Sequence, residues 1–179
     1  MRKKKVLIAY DGSDSAKAAV KDWLGAESAV EGEALVVSVV DLDKTAPAFS
    51  YDLGVFGKYV SRRLLDETIA LMHREKERLE TEAKGSTKRA AELVRRNLPG
   101  WFVSERTAVG DPAEEILKIA EEWNADLIVV GSRGRSALGR LFFGSVSRKI
   151  AEKARCPVRI GQAALASGGA SSEDFGLPK

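Results

Sequence analysis

The chain has one cysteine, one histidine and no long apolar run. A single cysteine, Cys156, excludes an internal disulfide framework and is typical of a reducing compartment, so we expect a cytoplasmic protein. The single histidine, His73, has no histidine or cysteine near it in sequence, so we expect it to be structural or exposed rather than a metal ligand. Apolar runs such as 34–40 and 127–130 have the length of strands, well below the roughly 20 residues of a membrane span. The apolar stretch after the basic N-terminus ends at Asp11, too early for a signal-peptide core. We therefore expect neither export nor a membrane partner.

Acidic residues are absent from 127–151, although the net charge of the chain is only +3. This segment contains five cations: Arg133, Arg135, Arg140, Arg148 and Lys149. A solvated face usually mixes both signs, so the segment is suited to an anion. Two alternatives are an ordinary solvated face and a weak nucleic-acid patch. Basic and acidic residues are mostly interleaved elsewhere, so the global charge says little about a nucleic-acid partner, and we expect none.

The order of apolar patterns predicts an α/β fold. Strands are predicted at Val6–Tyr10, Ala34–Val40, Trp101–Val109, Asp126–Val130 and Pro157–Ile160. Helices are predicted between them, the first capped by Ser13 or Asp14 and the others at about 61–98, from Pro112 and at 145–154. Strands that alternate with helices indicate a single open parallel sheet of five strands, in the order 3-2-1-4-5, with helices on both faces. This domain is expected to span residues 1–161, and the Gly-, Ser- and Ala-rich tail at 162–179 is predicted to be disordered.

The second helix carries a long apolar stripe with helical spacing: Leu65, Ile69, Met72, Leu79, Ala83, Ala90 and Val94. We expect this stripe to pack on the sheet, Gly85 to bend the helix, and Pro99-Gly100 to end it. The strand that follows alternates, with Trp101, Val103 and Val109 as its expected inner residues, so it is predicted near a sheet edge. The stretch Asp41–Val60, with its aromatic residues, is interpreted as a packed flap.

One glycine-rich segment carries the chemistry. After the strand that ends at Val130, glycines at 131, 134 and 144 and the serine at 145 follow the spacing G-x2-G-x9-G-S. Gly131 and Gly134 allow a ligand to approach the backbone closely. Gly144-Ser145 begins a helix, whose free N–H groups and dipole favour an anion. The hydroxyls of Ser145 and Ser147 can donate to phosphate oxygens, and Arg133 or Arg135 can add charge. The spacing matches neither the G-x-G-x-x-G pattern nor the P-loop. Glycines near a strand end can also be ordinary turn residues, and Asp11 could simply cap a helix.

This loop, the opening Val6–Ser13 and the closing Cys156-Pro157-Val158 together resemble the universal stress protein family. The loop resembles that of the ATP-binding branch, and the resemblance covers essentially Lys5–Gly161. It implies an adenine nucleotide alpha hydrolase-like fold and a bound adenine nucleotide (ATP, ADP or AMP), with Mg or Mn as a conceivable companion. The implied phosphate contacts are Gly131, Gly134, Gly144, Ser145 and Ser147, with Val146 in the same turn. Asp11 would hold the adenosine part, and Val39 and Val130 would line the adenine pocket. Ala9 and Arg133 stand where some relatives carry proline and histidine.

Three functions are compatible with these residues: an ATP-binding regulatory protein of the stress response, a slow ATPase or nucleotidyl-transfer enzyme, and an interaction module that binds no nucleotide. The loop argues against the third. The second lacks a P-loop lysine and a histidine near the loop, although Asp11 or Asp41 could hold a metal ion. We therefore expect the first, with little or no turnover. The resemblance also implies a homodimer that pairs through the last strand, at Val158 and Ile160.

Overall fold

The computed structural model describes residues 2–41, 62–133 and 144–161. In chain order its elements are β1 (Lys4–Ala9), α1 (Asp14–Ala26), β2 (Gly32–Val40), α2 (Arg62–Asn97), β3 (Trp101–Val109), α3 (Pro112–Trp123), β4 (Leu127–Gly131), α4 (Ser145–Lys153) and β5 (Val158–Gly161). The predicted alternation of strands and helices is confirmed. The predicted flap, except Asp41, and the predicted disordered tail lie outside the described residues. No helix in the described ranges is both long and apolar enough to cross a membrane.

The five strands form one parallel sheet in the order β3-β2-β1-β4-β5, as predicted. β1 lies at the centre, with Ala9 opposite Val37 of β2 on one side and Val130 of β4 on the other. The strand order reverses here, since the chain moves outward from β1 in one direction and then returns to the other side. Open parallel sheets bind ligands in the crevice at the carboxyl ends of the strands at such a reversal. A ligand site is therefore expected at the loops after β1, β2 and β4.

The two faces of the sheet carry separate cores because successive strand residues point to opposite sides. Val6 and Ile8 of β1 pack with buried residues of α1 and α2 on one face. Leu7 and Ala9 pack with buried residues of α3 and α4 on the other face. The continuous apolar run of β1 thus reflects a strand that is buried on both sides.

The helix starts follow their local sequence signals. The Ser13 hydroxyl caps α1 by accepting a hydrogen bond from the Ala16 N–H, while Asp14 is the first helical residue. Asp111 caps α3, with Pro112 in the first turn. Gly144 occupies the cap position of α4 and makes no side-chain cap hydrogen bond. The start of α4 therefore differs chemically from the other two.

Helix α2 departs from expectation in its first half. The C-terminal part of its stripe is buried, but Leu65, Ile69 and Met72 are 37%, 45% and 45% exposed. The reason is length: 36 residues give a helix of about 54 Å, whereas the nine-residue β2 spans about 30 Å. The helix also continues without interruption through Gly85.

One predicted inner residue of β3 is wrong. Trp101 and Val103 are buried, but Val109 is 38% exposed. It lies at the end of an edge strand, beyond the residues of β3 that pack in the core against the last turns of α2.

Candidate nucleotide site

A cavity of about 570 Å³ opens at the carboxyl ends of β1, β2 and β4. Its size falls within the range of small-molecule binding sites. Every predicted site residue that the structure describes lines it: Ala9, Asp11, Val39, Val130, Gly131, Arg133, Gly144, Ser145, Val146 and Ser147. The remaining predicted residue, Gly134, lies outside the described residues. Tertiary structure thus brings together three segments that are far apart in sequence.

Packing requires a glycine at position 131. A Cβ atom at this position would lie 2.6 Å from the Ala16 backbone nitrogen and 2.7 Å from the Ser15 hydroxyl oxygen. Both distances are too short for a real side chain, so the start of α1 occupies the space beside Gly131. A side chain here would therefore meet the protein itself, and the predicted phosphate contact of Gly131 stays a prediction. A substitution at Gly131 would disturb the junction between α1 and β4 itself.

Two serines at the start of α1, Ser13 and Ser15, hydrogen-bond to the backbone of Arg133 just after β4. The Ser15 hydroxyl is buried, donates to the Arg133 carbonyl oxygen and accepts from the Arg133 N–H at 3.2 Å. The Ser13 hydroxyl lies 3.3 Å from the same carbonyl oxygen and 3.2 Å from the Ser15 hydroxyl. The backbone of Arg133, at the entry to the glycine-rich loop, is therefore fastened to α1. We did not predict the role of Ser15 from sequence, because only the pairing of β1 with β4 brings Ser15 to Arg133.

Backbone and side-chain hydrogen bonds join the two ends of the glycine-rich loop. The Gly144 N–H donates to the Ser132 carbonyl oxygen at 2.7 Å, and the Ser132 N–H donates to the Gly161 carbonyl oxygen at 2.8 Å. The buried Ser147 hydroxyl lies 3.1 Å from both the Ser132 and Gly144 carbonyl oxygens. In this structure Ser147 thus holds the two ends of the loop together. Its predicted role as a phosphate donor stays a prediction.

The start of α4 faces the cavity through Gly144, Ser145 and Val146. Ser145 is exposed, and no described side chain caps this helix. The first N–H groups of a helix have no partner inside the helix. Together with the helix dipole they favour an anion at this end of the cavity.

The predicted group of five cations is only partly present at the site. Arg133 lines the cavity, whereas Arg135 and Arg140 lie outside the described residues. Lys149 instead pairs with α3, at 2.9 Å from the Glu114 carboxylate and 3.3 Å from the Asp111 carboxylate. The hydrogen bond to Glu114 raises the pKa of Lys149. The expectation that Lys149 serves an anion is therefore wrong, because two acidic residues on α3 already neutralise it.

The same contacts affect Asp111, which caps α3 beside the cavity. The Glu114 N–H donates to its carboxylate at 2.8 Å, and this hydrogen bond, with a contribution from Lys149, lowers the pKa of Asp111. The next residue, Pro112, lines the cavity. The α3–α4 pairing thus fixes one wall of the site.

The apolar wall includes residues that the sequence did not single out. Ile116 of α3 and Leu79 and Ala83 of α2 face the cavity along with Val39 and Val130. Their helical stripes marked them only as core positions. Tyr10 and the buried Ser38 also line it, one after β1 and the other near the end of β2. The cavity therefore combines an apolar wall with a polar end at α4.

The acidic residues at the cavity are Asp11 and Asp41. Asp11 accepts a hydrogen bond from the Ser13 N–H at 2.9 Å, which shapes the turn after β1. Within the described residues no cluster of three or more metal-ligand side chains is found. His73 lies exposed on α2; we expected it to be either structural or exposed. A divalent cation here would need oxygen ligands from the phosphates of a bound nucleotide, as Mg²⁺ commonly uses.

The sequence of this chain matches a known protein family. A family model described as "Universal stress protein family" matches residues 3–160. Universal stress protein MJ0577 of Methanocaldococcus jannaschii is 32% identical over 162 residues, which cover 88% of this chain and 93% of that protein. A universal stress protein of Thermus aquaticus is 35% identical over 157 residues, covering 88% of this chain and 97% of the relative.

Solved structures have the same fold. The MJ0577 structure superposes with a TM-score of 0.71 at 24% identity, covering 90% of this chain and 97% of the other. A universal stress protein family protein from Arabidopsis thaliana, solved with AMP bound, superposes with a TM-score of 0.57 at 19% identity. That superposition covers 89% of this chain and 91% of the plant protein.

Proposed function

This chain belongs to the universal stress protein family, and from that premise we propose that it binds an adenine nucleotide in the cavity at the ends of β1, β2 and β4. We propose ATP as the ligand, with ADP or AMP as the alternatives. The observation that carries the proposal is the convergence of ten predicted site residues on one cavity of suitable size. The three segments that supply them are connected by α1 and by a long stretch of chain, so local sequence proximity does not explain their meeting.

The phosphates are assigned to the start of α4. Gly144 has φ and ψ of −64° and 158°, an extended conformation that most residues can adopt. Its backbone therefore does not require glycine, and we propose that the missing side chain leaves room for the phosphates. Ser145 is exposed toward the same end of the cavity and can donate its hydroxyl. Arg133, whose backbone is held by Ser15, lines the same cavity and can supply positive charge. In this assignment Gly134 also contacts the phosphates. The Ser147 hydroxyl holds the two ends of the loop through the Ser132 and Gly144 carbonyl oxygens.

The adenosine part is assigned to the apolar end. Ala9, Val39, Val130 and Ile116 offer a surface on which a flat base can pack. Asp11, at the end of β1, is the proposed ribose partner, because a carboxylate accepts hydrogen bonds from ribose hydroxyls. The plant relative solved with AMP bound supports an adenine nucleotide as the ligand, since it is a member of the family that holds one.

Nucleotide binding is tested directly by mass spectrometry of small molecules released from purified protein, followed by titration with labelled ATP, ADP and AMP. Gly144→Val is expected to abolish binding while the far-UV circular dichroism spectrum stays unchanged. Gly25→Val is the matched control, since a Cβ atom at Gly25 meets nothing within 4 Å. It lies on α1 and does not line the cavity. Unchanged affinity in a folded Gly144→Val variant would contradict the phosphate assignment.

The role we propose is regulatory, with the bound nucleotide setting conformation or partner choice. The second candidate is a slow ATPase or nucleotidyl-transfer enzyme on the same site. Among the described residues that line the cavity there is no histidine or lysine, so Asp11 and Asp41 are the available bases. These two carboxylates are also the residues that could ligate Mg²⁺ or Mn²⁺ together with the phosphates. A steady-state rate above about 1 s⁻¹, the low end of typical enzymes, would favour the enzyme.

We also propose that the chain forms a homodimer through β5 and acts in the cytoplasm. β5 is an edge strand, and its Pro157 and Gly161 carbonyls bond toward β4. With a period of two, the backbone groups of Val158 and Ile160 therefore lie along the open edge. Light scattering of the wild type is expected to give a dimer at micromolar concentration. Val158→Asp/Ile160→Asp, and separately Val158→Pro with its N–H removed, are expected to give monomers. A dimeric Val158→Pro variant would contradict this interface.

A further inference from the structure

A second cavity, of about 390 Å³, lies between α1 and α2, and we call it the α1–α2 groove. Among the described residues that line it, four are cationic and one, Glu92, is acidic. The cations form two rows, with Lys17 and Lys21 one turn apart on α1 and Arg89 and Arg96 two turns apart on α2. All four are exposed, and Lys17 also pairs with the Asp14 carboxylate at 2.9 Å, so Lys21, Arg89 and Arg96 carry most of the attraction for an acidic occupant. Such an excess of one sign favours an acidic occupant.

The floor of the α1–α2 groove is apolar. Val20 of α1 and Leu93 of α2 line it, along with Tyr10, which also lines the candidate nucleotide cavity. A phosphate backbone or a free inorganic anion would gain little from such a floor. A peptide that carries acidic side chains next to an apolar one would use both the cations and the floor.

The chain itself contains a peptide of this kind. Beyond Gly161 its acidic residues are Glu173 and Asp174, which are followed directly by Phe175. We propose that this acidic–aromatic segment, Glu173–Phe175, docks in the α1–α2 groove of its own chain. The carboxylates would face Lys17, Lys21, Arg89 and Arg96, and the Phe175 ring would pack on the half-buried Leu93 and Tyr10.

The place where β5 ends makes this docking geometrically accessible. A Cβ atom at Gly161 would lie 2.2 Å from the Ala19 Cα, so the last strand touches α1. The groove lies on another side of that same helix, which is about 10–12 Å across. The eleven residues between Gly161 and Glu173 can span up to about 36–40 Å, several times that width. Because the segment is covalently attached, its effective concentration at the groove is of millimolar order, which makes weak ion pairs sufficient.

Carbodiimide crosslinking of the full chain tests the proposal, because this reagent joins a lysine amine to a carboxylate that touches it. An equal mixture of ¹⁵N-labelled and unlabelled protein is crosslinked at low concentration and analysed by peptide mass spectrometry. We expect links from Lys17 or Lys21 to Glu173 or Asp174, within chains of one isotopic label. The pair Lys149 and Glu114, 2.9 Å apart, serves as the internal positive control.

Variants separate attraction from mere proximity. Arg89→Glu/Arg96→Glu leaves both reactive lysines in place and is expected to lower the yield of the tail links about tenfold, equivalent to about 1.4 kcal/mol. Phe175→Ala is expected to lower it as well, while Lys88→Glu, at an exposed position of α2 outside the groove, is expected to leave it unchanged. The tail links should also weaken at 1 M salt, where screening acts within about 3 Å.

Three outcomes overturn the proposal. One is the absence of tail links while the Lys149–Glu114 link forms. Another is an unchanged yield in a folded Arg89→Glu/Arg96→Glu variant. The third is that the links join differently labelled chains, which would make a second copy the occupant of the groove. None of these outcomes depends on nucleotide binding. The docking of the tail can therefore be refuted while nucleotide binding stands, and nucleotide binding can be refuted while the docking stands.

Discussion

Replacing Gly131 by alanine tests how the candidate site is built. The added Cβ atom would lie 2.6 Å from the Ala16 nitrogen, 2.7 Å from the Ser15 hydroxyl oxygen and 2.8 Å from the Ser15 carbonyl carbon. Two of these three atoms belong to the backbone at the start of α1, so a rotamer change in Ser15 cannot relieve the overlap. Either the first turn of α1 or the end of β4 must move.

The size of the effect follows from that displacement. Overpacking in a close-packed interior costs about 1–3 kcal/mol. For a domain of this length each kcal/mol lowers the melting temperature by about 2–4 °C. We therefore expect Gly131→Ala to melt about 2–12 °C below the wild type, measured by circular dichroism and by urea denaturation. Nucleotide affinity should fall as well, because the junction that holds Arg133 is disturbed.

Gly25→Ala is the matched control, since it adds the same methyl group to α1 in open space. Alanine is favoured over glycine in a helix by up to about 1 kcal/mol, so this variant should be as stable as the wild type or more stable. The double variant Ser15→Ala/Gly131→Ala should not recover stability, because the contacts with the Ala16 nitrogen and the Ser15 carbonyl carbon persist. If Gly131→Ala melts with the wild type, or if Ser15→Ala rescues it fully, the close approach of α1 to β4 is refuted.

Three further predictions concern stability and turnover. Burial would raise the pKa of Glu27, but hydrogen bonds from Lys4, the Ala29 N–H and Trp23 lower it below its ordinary value of 4.5. Because the folded pKa lies below the unfolded one, the stability that Glu27 contributes should be fully present above about pH 5.5 and be lost as the pH drops below about 4.5. Urea titrations at several pH values should therefore show a shallower acid slope in Glu27→Gln than in the wild type, and an unchanged slope would contradict the contribution of Glu27. Ser147→Ala should cost about 1–3 kcal/mol in chemical denaturation, since it removes a buried donor from the Ser132 and Gly144 carbonyls; a cost no larger than that of a surface change would contradict its role at the loop base. ATP turnover should stay below about 1 s⁻¹ with product analysis by chromatography, with or without Mg²⁺, and a faster rate that disappears in Asp11→Asn would instead establish catalysis.

Much of the fold could be predicted because its signals are local. The apolar run of β1 and the caps Ser13 and Asp111 each depend on a few neighbouring residues. Alternation of strands and helices then leaves few topologies, since crossovers between parallel strands are right-handed. The glycine spacing in turn marked the loop after β4 as the candidate site, and the structure places the described members of that loop at one cavity.

Other features depend on distances between segments that are remote in sequence. Gly131 was expected to make room for a ligand, yet its neighbour is the start of α1. Lys149 was counted among the anion-binding cations, yet α3 presents two carboxylates to it. The apolar stripe of α2 has the same spacing along its whole length, but only its second half reaches the sheet.

The sequence by itself determined the elements and their order, and it indicated the glycine-rich loop as the candidate site, because hydrophobic periodicity, caps and glycines act over one or two turns of chain. Only the tertiary structure decided which surfaces meet: the fastening of Arg133 by Ser15, the neutralisation of Lys149 and the cationic groove between α1 and α2. The physical reason is range. A hydrogen bond or an ion pair needs its partners within about 3–4 Å, and that distance is set by how whole helices pack on the sheet.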